Sequence, residues 1–425
     1  MRLGIDFGTT NSAVAYYDGK TLTTIPLEPQ SDTPQILPSL IYITREHDHY
    51  LGTNAMRIYA ERETGRPVRW KRHYIGEFEV MVAGTGSGPI VFMQEAYAWS
   101  DEGAQGRLLQ SVKTALRDGT YQGTRIFDRF YTLDELLVKL LAELRQRAEQ
   151  FMGQPCTEVV IGRPVHFSHN PAIDRRAEQI LHKAARWAGF QKVFFQAEPM
   201  GATYLHHISS ATRQRLLVFD FGGGTLDFTI AEVGGDEPPH ILATHGVLVG
   251  GDDLDRRIMA YLLKYFGADA RIGREKFPYD ILDKLLNWQT HPEISRPEYR
   301  ELFHDFKTKS TDPAAIACVE ALVSHNLGFA LFKEIERVKK ALSYSDSAEL
   351  HFEYEPISIH ETITRQQFER MITYEVQVVA DGLDTVLRKA EVHPEDIDIV
   401  ARTGGSSQIP IFVQLLSDTF GANKI

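Results

Sequence analysis

One short pattern occurs twice in this chain. Leu3-Gly-Ile-Asp6-Phe-Gly8-Thr9-Thr10-Asn11-Ser-Ala-Val-Ala15 and Leu217-Val-Phe-Asp220-Phe-Gly222-Gly223-Gly224-Thr225-Leu-Asp227-Phe-Thr-Ile-Ala231 each read as an apolar strand ending on Asp, a Gly/Thr turn and a second apolar strand. A single hairpin of this kind is an ordinary tight turn. A pair of them points to a duplicated unit whose halves hold one polyphosphate between them.

The residue types suit that task. Gly8, Gly222, Gly223 and Gly224 let backbone N–H groups approach phosphate closely, because glycine has no Cβ and adopts positive φ freely. Thr9, Thr10 and Thr225 add hydroxyl donors. Asp6 and Asp220 stand where strands run out into loops, and a carboxylate there would repel phosphate directly. A divalent cation is the sensible intermediary, since Mg²⁺ keeps most of its waters and is held by one or two carboxylates plus phosphate oxygens. Neither turn is followed by Gly-Lys-Ser/Thr, so neither is a Walker A loop. Each leads into another strand rather than a helix, so neither is a Rossmann fingerprint.

Composition narrows the rest. With 46 Lys and Arg against 57 Asp and Glu the formal charge is −11, which argues against a broad nucleic-acid surface. Cys156 and Cys318 offer neither a disulfide framework nor metal-ligand spacing and fit a reducing compartment. The N-terminus runs straight into Asp6, so no signal peptide is expected, and no apolar run reaches the ~18 residues that cross a bilayer. The expectation is a cytoplasmic protein with no membrane and no nucleic-acid partner.

Residues 1–38 read as a β-meander with apolar runs at 3–7, 12–17 and 22–27. Gly84–Gly88 marks a loop. Thr132 with Glu135 three residues on is a capping box opening a helix whose stripe is Leu136, Leu137, Leu140, Leu141, Leu144 and Ala148. Strands follow at Val159–Ile161 and Val193–Gln196, separated by a helix over Asp174–Ala188. The second half restarts at Leu216–Phe219. Helices are expected after Gly250-Gly251, throughout 268–329, over Ala330–Leu342 and continuously over Phe368–Leu387, with a last strand at Ile397–Val400. Strands and helices in two halves, each opening on a hairpin, predict an α/β protein with mixed sheets and a ligand crevice at the strand ends.

These motifs together resemble the nucleotide-binding (ATPase) domain of the seventy-kilodalton heat-shock chaperones, the DnaK-like branch of the actin/hexokinase superfamily, and within it the short YegD-like relatives. The resemblance runs from Leu3 to about Gly421 and is thinnest at 44–130 and 268–325. It implies an actin-like ATPase fold with a duplicated ribonuclease H-like motif, in two lobes around a nucleotide cleft, lobe I over 1–214 and lobe II over 215–425.

By that resemblance, Gly8, Thr9, Thr10 and Asn11 form the first phosphate loop and Gly222, Gly223, Gly224 and Thr225 the second. Glu198-Pro199 matches the connecting motif. Asp6, Asp220 and Glu198 would hold Mg²⁺ through water, and Asp220 or Asp227 would orient the attacking water. Gly250, Gly251 and Asp252 match the segment that opens a helix after the second loop. Glu336, Lys339, Lys340 and Ser343 match the helix that contacts ribose and adenine, while Gly404, Gly405, Ser406 and Gln408 match the second adenosine loop. The helical spacing i, i+3, i+4, i+7 does put the first set of four on one stripe, although a solvated face with Glu–Lys pairs has the same spacing.

The γ-phosphate lysine has two candidates. Lys113, in Arg107-Leu-Leu-Gln-Ser-Val-Lys113, is favoured over Lys71 because it lies nearer the Thr132 helix, as in the short relatives.

The chain departs from the full-length chaperones at Gln408, where they carry an Arg that stacks on adenine, and at Arg402 and Thr403, where they carry apolar residues. The relatives continue past the position of Ile425 with a further loop and helix, and neither an apolar linker nor a β-sandwich peptide-binding domain is expected in this chain. The expected function is a DnaK-type molecular chaperone that binds ATP/ADP with Mg²⁺ and hydrolyses slowly to drive lobe closure, with a co-chaperone or exchange factor and a client protein as partners. A small-molecule kinase and an actin-like scaffold on the same fold are the alternatives.

Overall fold

The computed structural model describes residues 1–31, 33–82, 90–164, 166–168 and 170–425. The expected loop at Gly84–Gly88 lies outside the described residues.

The repeat seen in the sequence is a repeat in topology. In the first sheet, Arg2–Phe7, Asn11–Tyr17 and Leu22–Thr24 run as an antiparallel meander, with Ile36–Pro38 also pairing on Asn11–Tyr17. Glu158–Arg163 lies parallel beside Arg2–Phe7, and Lys192–Ala197 lies parallel beside that. In the second sheet, Gln214–Phe221, Leu226–Val233 and His240–Val247 form the same meander, and Ile399–Thr403 lies parallel beside Gln214–Phe221. In both, the strand that ends on the motif Asp is central, flanked by its hairpin partner and by a parallel strand. Central parallel strands are covered on both faces, which is why Leu216, Leu217, Val218 and Phe219 are buried in succession.

Each sheet has its own core. Leu3, Ile5 and Phe7 pack with Leu137, Leu141 and Leu144 of the Leu133–Met152 helix and Leu181 of the Pro171–Trp187 helix. Thr132 and Glu135 close the anticipated capping box, and the whole predicted stripe to Ala148 is buried. Leu217, Phe219 and Phe221 pack with Ile258 and Leu262 of the Gly251–Leu262 helix and Phe412 and Leu416 of the Pro410–Phe420 helix. The other face of the second sheet takes Ala202 from the Glu198–Ser209 helix, which leaves the last strand of the first sheet. A third cluster, Tyr42, Tyr59 and Phe329, bridges the two halves. Beside it Gly65 N–H donates to His325 C=O at 2.9 Å and Asn326 Nδ2 donates to Glu63 C=O at 3.1 Å.

Three expectations change. The helix expected over Phe368–Leu387 is two helices, Arg365–Met371 and Thr373–Ala390, broken at Ile372, whose φ and ψ are −100° and 16°. The segment 268–329 holds a small hairpin, Arg271–Ile272 with Glu275–Lys276, and then short helices separated by turns, among them Tyr279–Leu285, Arg300–Lys309 and Pro313–Ser324. The last strand sits two residues further on, at Ile399–Thr403, which carries Thr403 to the end of Asp220's strand. Among the described residues no single helix is long and apolar enough to cross a membrane; the apolar pair Pro313–Ser324 and Gly328–Leu342 bends by 103° and fills the second core.

Candidate functional site

The two motif hairpins meet at their tips. A Cβ on Gly223 would lie 2.7 Å from Thr10 Cγ2, so the loops approach as closely as they do only because position 223 has no side chain. Each loop is also braced from within. Gly8 leaves no room for a Cβ, which would fall 2.0 Å from Asn11 C=O. Gly222 N–H donates to Thr225 C=O at 3.0 Å. Ser39 supports the first loop from behind, its N–H donating to Thr10 C=O at 2.8 Å and its hydroxyl to Gly8 C=O at 3.1 Å.

Under the touching tips four carboxylates converge on one ammonium. Asp6 is the penultimate residue of its strand, open to water on one side but walled by protein on most others; that loss of solvent, then Glu198, push its carboxyl up to about 6. Burial does the same to Asp220, also reaching about 6, although the Thr403 hydroxyl donates to its Oδ1 at 3.0 Å and opposes the rise. Asp227 stands directly opposite Asp220 across the hairpin, so the β pairing itself forces the two carboxylates together. Burial, then Glu198, raise Asp227 too, while the Thr225 hydroxyl donates to its Oδ2 at 3.3 Å. Lys113, 8% exposed, reaches into this group from a 3₁₀ turn at Val112–Arg117 and donates to Glu198 Oε1 at 2.5 Å. Glu198 is placed by being the first residue of its helix. Lys113, joined at Asp227 by the charge of Arg117, faces four acids, which leaves the cluster rich in negative charge. An all-oxygen donor set with that charge matches a hard divalent cation.

Lys71 is elsewhere. It lies on the long ribbon Trp70–Val82/Ile90–Asp101, is 59% exposed and pairs with Glu102 at 2.9 Å.

The remaining candidates of the second half collect behind the second loop. Gly250 and Gly251 pack against it: a Cβ on Gly250 would meet Gly223 C=O at 2.2 Å, and Gly251 and Asp252 donate their N–H groups to Gly222 and Gly223 carbonyls at 3.0 and 2.8 Å. Ser406 donates to Gly222 C=O at 3.3 Å, and Gly404, with φ at +81°, turns the chain beneath Phe221. Lys339 reaches over from the Gly328–Leu342 helix to Gly251 C=O at 2.9 Å and to Asp255 Oδ2 at 2.7 Å. Its ammonium is thus committed to holding the Gly251–Leu262 helix beside the loop. Glu336 sits on the same helix between Lys333 and Lys340, at 2.7 and 2.8 Å; burial would raise its carboxyl, but the two ammonium groups override that and hold it down at about 2. Ser343 follows the helix as its C-cap, half-buried. Gly405 and Gln408 are exposed.

Sequence reasoning placed Asp255 in the segment Gly250–Asp255 without a partner, had no place for Ser39 and treated Thr403 as a departure. Asp255 is buried, has one carboxylate oxygen without a partner and is pushed up to about 6 by burial against the pull of Lys339. Its signal was there in the i, i+3 spacing from Asp252, which turns it toward the same face. Thr403 carried no local signal, because its partner lies on another strand. Arg402, the other departure, donates to Ser407 C=O at 3.0 Å and braces the loop that carries Gln408.

The family model described as Hsp70 protein matches residues 2–287 and 323–425. A chaperone protein dnaK from Cyanidioschyzon merolae is 26% identical over 427 aligned residues, covering 99% of this chain and 58% of that relative. The chain therefore spans a little over half the length of the curated relative it matches. The duplicated sheet is the actin-like ATPase fold, and with a match over most of its length the chain belongs to the Hsp70 family.

Proposed function

We propose that the cleft is a Mg²⁺-ATP site with slow hydrolysis, and that the chain works as the nucleotide switch of a DnaK-like chaperone, with lobe I over 1–214 and lobe II over 215–425. Members of this family bind ATP or ADP with Mg²⁺ and act with client proteins and co-chaperones. Here an exchange factor or co-chaperone, a client and a cytoplasmic setting are proposals of the same reading. The observation that carries it is the convergence of Asp6, Glu198, Asp220, Asp227 and Lys113 beneath two touching glycine hairpins.

Gly8–Asn11 and Gly222–Thr225 would receive the β- and γ-phosphates through backbone N–H and hydroxyl groups. Asp6, Asp220 and Glu198 would hold Mg²⁺ through its waters, the ion supplying charge neutralisation on the phosphate oxygens. Lys113 would exchange its bond to Glu198 for the γ-phosphoryl group, offsetting charge as the bond to the β-phosphate breaks, the kind of electrostatic help that dominates phosphoryl transfer. Asp227, raised by burial and positioned by Thr225, or its neighbour Asp220, would orient the attacking water and accept its proton, leaving ADP and phosphate. Glu336, Lys340, Ser343, Gly405 and Gln408 would line the nucleoside end. Closure would be read out where the halves already touch, at Gly65–His325 and Glu63–Asn326. Single-turnover hydrolysis by Lys113→Ala tests the reading: loss of hydrolysis with nucleotide binding retained supports it, and hydrolysis at the parent rate removes Lys113 from the mechanism.

A further inference from the structure

The hairpin Ser347–Tyr354/Ile357–Thr364 lies outside the cleft and is two-faced. Its inward residues Ala348, Leu350, Ile357, Ile359 and Ile363 are buried in the second core. The outward face alternates with them and carries His351, Glu353 and His360. His351 and His360 are directly opposite across the strands, with ring centroids 4.2 Å apart. Glu353 is two residues along from His351 on the same face. Its Oε1 lies 2.6 Å from His360 Nε2 and 3.9 Å from His351 Nε2. The ligand atoms of all three residues fall within 4.8 Å of one another.

We propose that His351, Glu353 and His360 form a surface site for a divalent transition-metal ion, Zn²⁺ foremost. Two imidazoles and a carboxylate are the three-protein-ligand set that leaves a fourth position open to water. Around a zinc ion with bonds near 2.1 Å, ligand atoms stand roughly 3–3.5 Å apart. The longer spacing here closes, and the shorter one opens, by side-chain rotation alone. The backbone need not move, because the hairpin is anchored by its buried face. Ser358, opposite Glu353, donates to Oε1 at 2.6 Å and orients the carboxylate, the outer-shell support that metal ligands use. The segment 347–364 itself holds Glu349, Glu353, Glu355 and Glu361 and no Lys or Arg, although Lys264 pairs with Glu361 and Arg337 donates to the Glu349 carbonyl from neighbouring elements. Imidazole selects zinc, nickel or copper over Mg²⁺, which prefers all-oxygen sites. The hairpin and the nucleotide cleft thus take different ions, and this site does not rest on the ATP reading.

The test is calorimetric titration of the full chain with ZnCl₂ alone, without nucleotide and in excess Mg²⁺, with Co²⁺ absorption as a second probe. One equivalent of Zn²⁺ is expected to bind despite the Mg²⁺. The His351→Gln/His360→Gln double variant should abolish that equivalent, and Glu353→Gln should weaken it roughly tenfold or more. Co²⁺ bound to the parent chain should show visible bands of nitrogen ligation. These side chains point outward, so the far-UV circular dichroism of the variants should be unchanged; if the double variant fails to fold, Glu353→Gln and the Co²⁺ spectrum decide. Absence of saturable Zn²⁺ binding, displacement by Mg²⁺, or undiminished binding in the variants would overturn the proposal.

Discussion

Lys113 and Glu198, far apart in sequence, are joined by a 2.5 Å bond between a short 3₁₀ turn and the first residue of a helix. Lys113 is nearly buried, and Asp6, Asp220 and Asp227 all feel its charge. It is the cation whose charge reaches all three of these aspartates, with Arg117 adding its own at Asp227.

Removing it should cost turnover more than binding. Lys113→Ala is expected to lower the single-turnover rate by about 10²–10³, the loss typical of one preorganised electrostatic partner, while ATP affinity changes by less than about tenfold. Lys71→Ala should leave both unchanged, since Lys71 is exposed on a distant ribbon. A larger loss from Lys71→Ala than from Lys113→Ala would reverse the assignment.

The Thr403 hydroxyl donates to Asp220 and favours its ionised form against burial. Thr403→Val keeps the shape and deletes the 3.0 Å bond. A hydrogen bond to a charged group is worth about 1.5–3 kcal/mol. The Mg²⁺-dependent part of nucleotide affinity should fall about tenfold or more, and affinity measured with chelator present should not change. Equal losses in both conditions would show that Thr403 acts on the fold rather than on the carboxylate.

How far these residues were legible in the sequence follows from how local their partners are. The two hairpins are local: Asp, Gly and Thr sit within a few residues of one another and impose the turn. Asp220 and Asp227 face each other by simple counting back from that turn. Lys339 is the opposite case. Its helical spacing gives the face but not what crosses that face, and Asp255 comes from another helix. Thr403 is invisible for the same reason, because only the parallel pairing with Asp220's strand gives it meaning. Ile372 breaks a helix with neither Gly nor Pro to announce it, and the two-residue strands at Arg271–Ile272 and Glu275–Lys276 are too short to show a period. The Trp70–Asp101 ribbon hides its alternation because residues on both faces, such as Ile75, Phe78 and Met81, are exposed.

The buried Asp255–Lys339 pair gives stability a pH dependence. The folded-state pKa of Asp255 is raised to about 6, so the native chain holds its proton more tightly than the unfolded one. Stability from this group is therefore greatest below about pH 4 and declines as pH rises toward 6. Comparing urea midpoints at several pH values, Asp255→Asn should flatten the decline by up to about 3 kcal/mol; the contributions of Asp6 and Asp220, present in both proteins, cancel. Identical pH slopes would contradict the assignment.

Gly223 is where the jaws touch. In Gly223→Ala the new methyl would fall 2.7 Å from Thr10 Cγ2, and the tips must separate to admit it. Both hairpins remain intact, so the melting temperature should fall by only a few degrees, as for about 1 kcal/mol in a chain of this size. ATP affinity should drop by more than that cost alone would give, since phosphate must be gripped from both sides. Unchanged affinity would mean that the tips do not clasp the ligand.

The most direct measurement is calorimetric titration of the chain with ATP, with and without Mg²⁺. The account predicts saturable binding of one nucleotide that is tighter with Mg²⁺ present, because Asp6, Asp220 and Glu198 repel bare phosphate and accept it once a cation intervenes. Absence of binding at millimolar ATP, or equal affinity with and without Mg²⁺, would contradict it.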